Sequence, residues 1–275
     1  MAAVFATINN IAKPGCPTHC GINTVSYPFG IGRECSLDNS YSLTCNTSYE
    51  PPKLFPISSD DFEVYNISDS EVRVATLVSY RCYNQRGALG GIIKGFDLNL
   101  NKEYTFSVKN KFTVIGCDDY TLIGGADESY VSGGCFALCR KEQEVPNGEC
   151  SGIGCCQASI PKGLRSYDLT LHTLLNHSDV LSFNECGYGF LVEEGSFKFG
   201  GAADLSTNYS EFVTRLESTV PIVLDWVIAP NKSCAIGVNI CKGNSSCYDV
   251  EGGGYHCKCN NGYEGNPYLD PGCQG

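Results

Sequence analysis

CAIGVNICKGNSSCYDVEGGGYHCKCNNGYEGNPYLDPGC, residues 234–273, is the stretch that decides the fold. Its six cysteines are Cys234, Cys241, Cys247, Cys257, Cys259 and Cys273. A segment this short, with few large aliphatic residues, cannot bury enough apolar surface to fold without cross-links. Structural zinc sites need two close pairs of ligands, with two to four residues between the members of each pair. This segment has one close pair, Cys257-Lys258-Cys259, with only one residue between its cysteines. The spacing therefore favours disulfides over zinc.

Cysteine usage in the rest of the chain indicates an oxidising compartment. The other twelve of the 18 cysteines are scattered rather than grouped like metal ligands: Cys16, Cys20, Cys35, Cys45, Cys82, Cys117, Cys135, Cys139, Cys150, Cys155, Cys156 and Cys186. Cys35 and Cys45 bracket a short polar segment, which predicts the pair Cys35–Cys45. The adjacent Cys155 and Cys156 form either a strained vicinal pair or, more often for such neighbours, bonds to two different partners. The other pairings stay open.

Six Asn-x-Ser/Thr sequons point the same way, because each is an acceptor for N-glycosylation in a secreted protein. They begin at Asn46, Asn66, Asn176, Asn208, Asn231 and Asn244. With so many cysteines, they predict a secreted or cell-surface glycoprotein. No run approaches about 18 apolar residues, so the sequence predicts no membrane span. Residues 1–11 lack a basic start and a long apolar run, so we expect an ectodomain whose export signal is missing.

Charge is unevenly distributed along the sequence. The net charge is −11, but residues 1–116 carry ten basic and ten acidic side chains, whereas residues 117–230 carry six and sixteen. The basic residues therefore gather in the first part of the chain.

Short alternating patterns predict a mostly β protein with little helix. Apolar and polar residues alternate in 71–74, 103–109 and 168–172, where Tyr104, Phe106 and Val108 are expected on one face. One stretch has helical spacing, Tyr209, Phe212, Val213 and Leu216, with Ser206 or Thr207 as its cap and Pro221 beyond its end. Trp226, the only tryptophan, lies in an apolar run, which favours a core position over stacking on a sugar ring.

The predicted architecture is disulfide-rich, with two β-rich lobes and a small terminal module. We expect an N-terminal lead (1–15), a first cysteine-rich lobe (16–116), a second (117–230) and the terminal module (231–275).

Five motifs resemble the ectodomain of plant wall-associated receptor kinases. They are the N-terminal Cys20-Gly21 with Ser26-Tyr27-Pro28-Phe29-Gly30, the central Gly154-Cys155-Cys156-Gln157, Glu185-Cys186-Gly187-Tyr188-Gly189, Val220-Pro221-Ile222-Val223-Leu224-Asp225-Trp226, and the terminal Gly262-Tyr263-Glu264-Gly265-Asn266-Pro267-Tyr268-Leu269. The resemblance runs in order from about Cys16 to Cys273. It implies that the first lobe is a galacturonan-binding domain. It also implies that the terminal module is epidermal-growth-factor-like (EGF-like), with the pairs Cys234–Cys247, Cys241–Cys257 and Cys259–Cys273.

The resemblance also implies a function. In that family the ligand is pectin, meaning homogalacturonan and its oligomers. The full-length protein spans the plasma membrane, faces the cell wall and carries a cytoplasmic serine/threonine kinase. This chain has neither a glycine-rich phosphate loop followed by a lysine strand nor a His-Arg-Asp loop, so we expect no enzyme activity.

Binding a polymer of carboxylates requires cations that pair with them. The first lobe and its resemblance predict ligand contacts at Arg33, Arg73, Arg81, Arg86, Lys94 and Lys102. The alternative for each one is an ordinary solvated charge balanced by a nearby acid. EGF-like modules that bind calcium carry acidic residues just before their first cysteine, whereas residues 230–233, which precede Cys234, include none. We therefore expect no metal, and we expect no cofactor. Calcium is expected only as an ion that bridges pectin charges.

Two other functions stay open from the sequence. The ectodomain would instead bind a peptide, a co-receptor or itself, which its overall acidity favours. A glycosidase built on two carboxylates is the third interpretation, but nothing selects such a pair. No sequence feature predicts a nucleic-acid partner.

Overall fold

The computed structural model describes residues 11–58, 62–84, 89–124, 131–236 and 240–275. The chain forms two compact units. One, here called the discontinuous unit, combines the residues up to Val72 with Trp226–Gly275, and the other, the inserted unit, is Arg73–Asp225. This division differs from the predicted boundary between residues 116 and 117. The reason is that β-strands far apart in sequence pair with each other, and composition along the chain does not reveal such pairing.

Strands make up most of the regular structure. In chain order they are β1 (His19–Cys20), β2 (Asn23–Thr24), β3 (Gly30–Ile31), β4 (Ser42–Asn46), β5 (Lys53–Pro56), β6 (Val64–Ile67), β7 (Glu71–Ala75), β8 (Ser79–Tyr83), β9 (Leu89–Lys94), β10 (Phe96–Asn99), β11 (Tyr104–Phe106), β12 (Asn110–Ile115), β13 (Asp118–Gly124), β14 (Val131–Leu138), β15 (Cys155–Ser159), β16 (Ser166–Leu169), β17 (His172–Thr173), β18 (Cys186–Glu193), β19 (Pro221–Trp226), β20 (Ser245–Asp249) and β21 (Tyr255–Cys259). The helices are α1 (Ala202–Ser206) and α2 (Tyr209–Thr219), with short 3-10 turns at Asn39–Tyr41 and Glu142–Glu144. The predicted mostly β, disulfide-rich fold is confirmed.

In the discontinuous unit, β3, β4, β5 and β6 are neighbours in that order, and β1 pairs with β2. Its N-terminal part contains the disulfides Cys16–Cys35 and Cys20–Cys45. The predicted pair Cys35–Cys45 is therefore wrong. A hairpin closed by these two cysteines would need the segment around Cys35 to pair antiparallel with β4, which contains Cys45. Instead, β4 pairs in parallel with β3 and antiparallel with β5.

The EGF-like module belongs to the discontinuous unit. Its strands β20 and β21 form an antiparallel hairpin in which Cys247 lies opposite Cys257. Three disulfides cross-link this module, in the pairs that the resemblance implies: Cys234–Cys247, Cys241–Cys257 and Cys259–Cys273. Few apolar side chains of the module are buried. The module is therefore stabilised mainly by its disulfides, which lower the conformational entropy of the unfolded chain.

The inserted unit is built from several small sheets. The largest has the order β15-β12-β18-β8-β9, a second has the order β14-β13-β17, and β10 pairs with β16. Its four disulfides are Cys82–Cys186, Cys117–Cys139, Cys135–Cys156 and Cys150–Cys155. Cys155 and Cys156 thus bond to two different partners, as is usual for such neighbours.

Helix α2 covers the core of the inserted unit. Phe212, Val213 and Leu216 are buried against β18 residues such as Tyr188, whose ring centroid lies 4.6 Å from that of Phe212. The side chain of Asn208 caps the helix by accepting a hydrogen bond from the Ser210 amide at 2.9 Å. With eleven residues, α2 is the longest helix of the described chain, and none of the described helices has the length and apolar character that a membrane crossing requires.

Candidate functional site

The structure does not gather the predicted basic residues at one place. Arg33 lies in the discontinuous unit, Arg73, Arg81, Lys94 and Lys102 lie in the inserted unit, and Arg86 lies outside the described residues. Arg33 and Lys102 are exposed.

Arg73 and Lys94 already have carboxylate partners. The Arg73 guanidinium donates to both carboxylate oxygens of Glu193: Nε lies 2.9 Å from Oε2 and 3.2 Å from Oε1, and Nη2 lies 2.6 Å from Oε1. The Nζ atom of Lys94 lies 3.4 Å from Oε1 of Glu217. A pectin carboxylate would have to displace these acids, so both residues match the alternative in which a nearby acid balances the charge.

Arg81 is held by its own unit. Its Nη1 atom donates to the carbonyl of Leu171 at 3.4 Å, and its guanidinium carbon lies 5.6 Å from the ring centroid of Tyr83. Its Nε atom is buried. A side chain fixed in this way reaches a polymer less readily than a solvated one.

The basic residues were predicted to gather in the first part of the chain, but neither structural unit is basic. The discontinuous unit has six basic and twelve acidic residues, a net charge of −6, and the inserted unit has thirteen and eighteen, a net charge of −5. The lobes drawn from sequence cut through both units, which produced the apparent segregation. Long-range attraction by a basic surface is therefore not available to either unit as a whole.

A cleft of about 610 Å³ lies within the discontinuous unit, and we call it the aromatic cleft. Its lining comes from three chain segments, 26–29, 67–69 and 257–268, together with Ile11 and Trp226. The first segment contains the Tyr27-Pro28-Phe29 motif, and the last contains Gly262-Tyr263-Glu264-Gly265-Asn266-Pro267-Tyr268. Motifs that lie more than 200 residues apart in sequence thus meet at one site.

The floor of the aromatic cleft is a cluster of packed rings. Trp226 is 2% exposed, and its ring centroid lies 5.3 Å from that of Phe29, 4.7 Å from that of His256 and 6.3 Å from that of Tyr268. The indole Nε1 donates to the Ser68 carbonyl at 3.0 Å, so the buried ring has its polar atom satisfied. The expected core position of Trp226 is confirmed.

One buried amide ties the two walls together. Nδ2 of Asn266 donates to the carbonyls of Ile11 at 3.1 Å and Tyr27 at 2.7 Å, and its Oδ1 accepts from the amide of Tyr268 at 2.9 Å. The hydroxyl of Tyr268 in turn accepts from the Cys257 amide at 2.9 Å. The EGF-like module is therefore fixed to the N-terminal segment by directional bonds as well as by rings.

The rim of the aromatic cleft is polar. Lys258, Asn261, Tyr263 and Glu264 are exposed on the side of the EGF-like module, and Asp69 is exposed on the other side. Such a combination of an aromatic ring, amide groups and charges suits a sugar, which needs an apolar surface for its ring and polar partners for its hydroxyls. The ligand contacts predicted from sequence do not include these cleft residues, although two of the motifs that carry the family resemblance line the cleft.

Asp118, Asp119 and His177 form a second cluster of titratable groups, in the inserted unit. Nε2 of His177 lies 2.9 Å from Oδ2 of Asp119, and both side chains are fully buried. Asp118 accepts hydrogen bonds from the amides of Leu175 at 2.8 Å and His177 at 2.9 Å. Asp118 organises the 173–177 loop. In the Asp119 carboxylate, Oδ2 contacts His177, whereas Oδ1 is buried without a hydrogen-bond partner among the described residues.

The predicted sequons are accessible, with one exception. Asn66, Asn176, Asn208, Asn231 and Asn244 are exposed, whereas Asn46 is half-buried.

Comparisons with known proteins agree with the motifs. A family model described as wall-associated receptor kinase galacturonan-binding matches residues 16–78. Among curated proteins of Arabidopsis thaliana, wall-associated receptor kinase 2 is 40% identical over 94% of this chain, and wall-associated receptor kinases 5 and 3 are each 37% identical over 95%.

The chain spans about a third of the length of these relatives, 34% of the first two and 36% of the third. No solved structure matches it. Over nearly all of its own length, therefore, the chain corresponds to the ectodomain of the wall-associated receptor kinases, and the family predicted from its motifs is confirmed.

Proposed function

We propose that this chain is the ligand-binding region of a wall-associated receptor kinase and that it binds homogalacturonan and its oligomers at the extracellular, cell-wall side of the plasma membrane. The observation that carries the proposal is the galacturonan-binding family match at residues 16–78, together with the aromatic cleft that part of the same segment lines. A whole protein of this kind would add a kinase, as the names and greater lengths of the relatives suggest. The family resemblance of the motifs implies a serine/threonine kinase joined to the ectodomain by a membrane-spanning segment.

The direct test is a titration of the purified chain with galacturonate oligomers of defined length at two salt concentrations. Affinity should fall at high salt if carboxylates are recognised by cations, because salt screens exposed charges. Neutral oligosaccharides of the same length are the control. A failure of every galacturonate oligomer to bind at low salt would contradict the proposal, and release of reducing sugar would instead indicate an enzyme.

Calcium enters the proposal only as a bridge between carboxylates of the polymer and the protein. The acidic residues at the cleft, Asp69 and Glu264, make such a bridge chemically reasonable. The titration should therefore be repeated with calcium and with a chelator. Binding that persists unchanged in the chelator would show that direct contacts suffice.

A protein partner is the second candidate, and an apolar face of the inserted unit favours it. On the outer face of β13 and β14, Leu122, Phe136 and Leu138 are 46%, 45% and 39% exposed. Leu174 and Leu175 are 55% and 57% exposed. Exposed apolar residues grouped in this way mark interaction surfaces more often than scattered ones do.

This second function predicts that a peptide or co-receptor binds through the apolar face. Replacing Leu174 and Leu175 with glutamate should abolish capture of a defined co-receptor ectodomain and leave oligogalacturonide affinity unchanged. Equal capture by the variant and the original chain would dismiss this surface.

A further inference from the structure

We infer that the EGF-like module supplies half of the polysaccharide site, with Tyr263 as the platform for a sugar ring and Lys258 as the cation that pairs with a galacturonate carboxylate. The inference rests on the proposed function and assigns its contacts to residues outside the segment 16–78 that the family model covers.

Exposure singles out Tyr263 among the aromatic residues of the cleft. Of the five that line it, Tyr27, Phe29, Trp226 and Tyr268 are 8%, 2%, 2% and 9% exposed, whereas Tyr263 is 38% exposed. A ring must present an open face to stack on the C–H face of a sugar, and the four buried rings are used in packing. Tyr263 is the lining ring that is free to do so.

Charge singles out Lys258. Among the described residues, it is the only lysine or arginine that lines the aromatic cleft, and its ammonium makes no ion pair with any of them. Arg73 and Lys94, in contrast, are each held by a glutamate. A ligand carboxylate thus gains an ion pair at Lys258 without breaking an existing one. Binding at Arg73 or Lys94 would first have to break the ion pair with a glutamate.

The acids of the cleft limit how many carboxylates it accepts. Asp69 and Glu264 line the same space as Lys258, so one cation faces two anions. Like charges brought together disfavour binding, so the site should accept one galacturonate carboxylate at Lys258 and resist further free carboxylates near the two acids. Sugars whose carboxyl groups are methyl-esterified would avoid that repulsion.

The test uses the intact chain and defined galacturonate oligomers in chelator at low salt. Lys258→Gln should weaken binding about tenfold, and Tyr263→Ala about fivefold. Lys258→Arg should retain most of the affinity, because it keeps the charge. The matched controls, Lys232→Gln and Tyr248→Ala, change exposed residues of the same module that do not line the cleft, and they should bind like the original chain.

Substituting the two acids should change the affinity in the opposite direction. Asp69→Asn and Glu264→Gln should each strengthen binding of fully de-esterified oligomers about threefold and change binding of esterified oligomers little. Weakened binding in either variant would overturn the charge argument.

The failures of the inference and of the proposed function are distinguishable. If no oligomer binds the original chain, the proposed function is wrong. If the original chain binds but Lys258→Gln and Tyr263→Ala bind as well as their controls, the function stands and this assignment is wrong. Counting free thiols in each variant excludes misfolding as the cause of a loss, since every cysteine of the native chain is paired.

Discussion

At the scale of single residues, Asn266 shows how much one buried amide does in this protein. Its side chain makes three hydrogen bonds, to Ile11, Tyr27 and Tyr268, and it is 7% exposed. Asn266→Ala should lower the free energy of unfolding by about 2–3 kcal/mol, because it leaves buried carbonyls without donors. Asn261→Ala, an exposed change in the same module, should alter it by no more than about 0.5 kcal/mol. Urea unfolding followed by tryptophan fluorescence measures both, and equal midpoints would contradict the expectation.

The buried pair Asp119–His177 predicts a pH dependence. Burial raises the pKa of Asp119. Burial alone would lower the pKa of His177, but the hydrogen bond and charge of Asp119 raise it above 6.5. The folded pair therefore keeps a proton that the unfolded histidine releases as the pH rises past 6.5. The free energy of unfolding should be highest below pH 6.5 and fall as the pH rises above it.

Thermal unfolding between pH 6 and pH 8.5 measures this dependence. His177→Gln should remove the fall, whereas His172→Gln, at an exposed position of the same unit, should keep it. A fall that survives in His177→Gln would assign the effect to another group.

The ligand-binding residues were only partly accessible to sequence reasoning. Charge along the chain identifies cations, but it does not tell which ones an acid already occupies. Glu193, the partner of Arg73, is 120 residues away in sequence. The basic residues therefore remain predictions. Lys258 and Tyr263 are proposed instead from their exposure and, for Lys258, from the absence of an ion-pair partner among the described residues, neither of which the sequence reveals.

At the scale of elements, the periodicity of apolar residues predicted a helix or strand correctly where the buried face of the element has that same periodicity. The spacing of Phe212, Val213 and Leu216 predicted α2, but its cap is Asn208, one residue after the predicted Thr207 and two after the predicted Ser206. The missed helix α1 is too short for a period to be visible. Val108 is 50% exposed instead of facing inward, because β11 ends at Phe106 and a turn closed by the Asn110 amide follows.

A disulfide should stabilise the fold more when the loop that it closes is longer. Cys82 in β8 and Cys186 in β18 lie directly opposite and close a loop of sequence separation 104, whereas Cys150–Cys155 closes one of 5. Replacing both cysteines by serine should lower the free energy of unfolding by about 4–5 kcal/mol for the first pair and about 2 kcal/mol for the second. Urea unfolding of the two double variants provides the comparison, and equal losses would show that loop entropy does not dominate.

At the scale of the whole molecule, the terminal module was predictable and the division of the chain was not. Close cysteine spacing constrains a local fold, so the EGF-like pairs were implied correctly by the resemblance. The discontinuous unit instead depends on Trp226 meeting Phe29 and Tyr41 across almost 200 residues, and no local pattern records that contact.

The inserted unit should fold without the rest of the chain. Each of its eight cysteines pairs within it, and it has its own core around Phe190, Phe212 and Leu216. Residues 73–225 expressed alone in an oxidising compartment should therefore show no alkylated cysteine by mass spectrometry under denaturing conditions. Several alkylated thiols, or mixed disulfide isomers, would contradict this independence.

The discontinuous unit has a consequence for biosynthesis. Because Trp226 and the EGF-like module leave the ribosome after the inserted unit, the N-terminal segment must wait through 153 intervening residues before its aromatic core is complete. The inserted unit can mature during that interval, since domains tend to fold as they emerge. Meanwhile, the bonds Cys16–Cys35 and Cys20–Cys45 join residues that are already translocated, so oxidation can secure the waiting segment before its partner arrives.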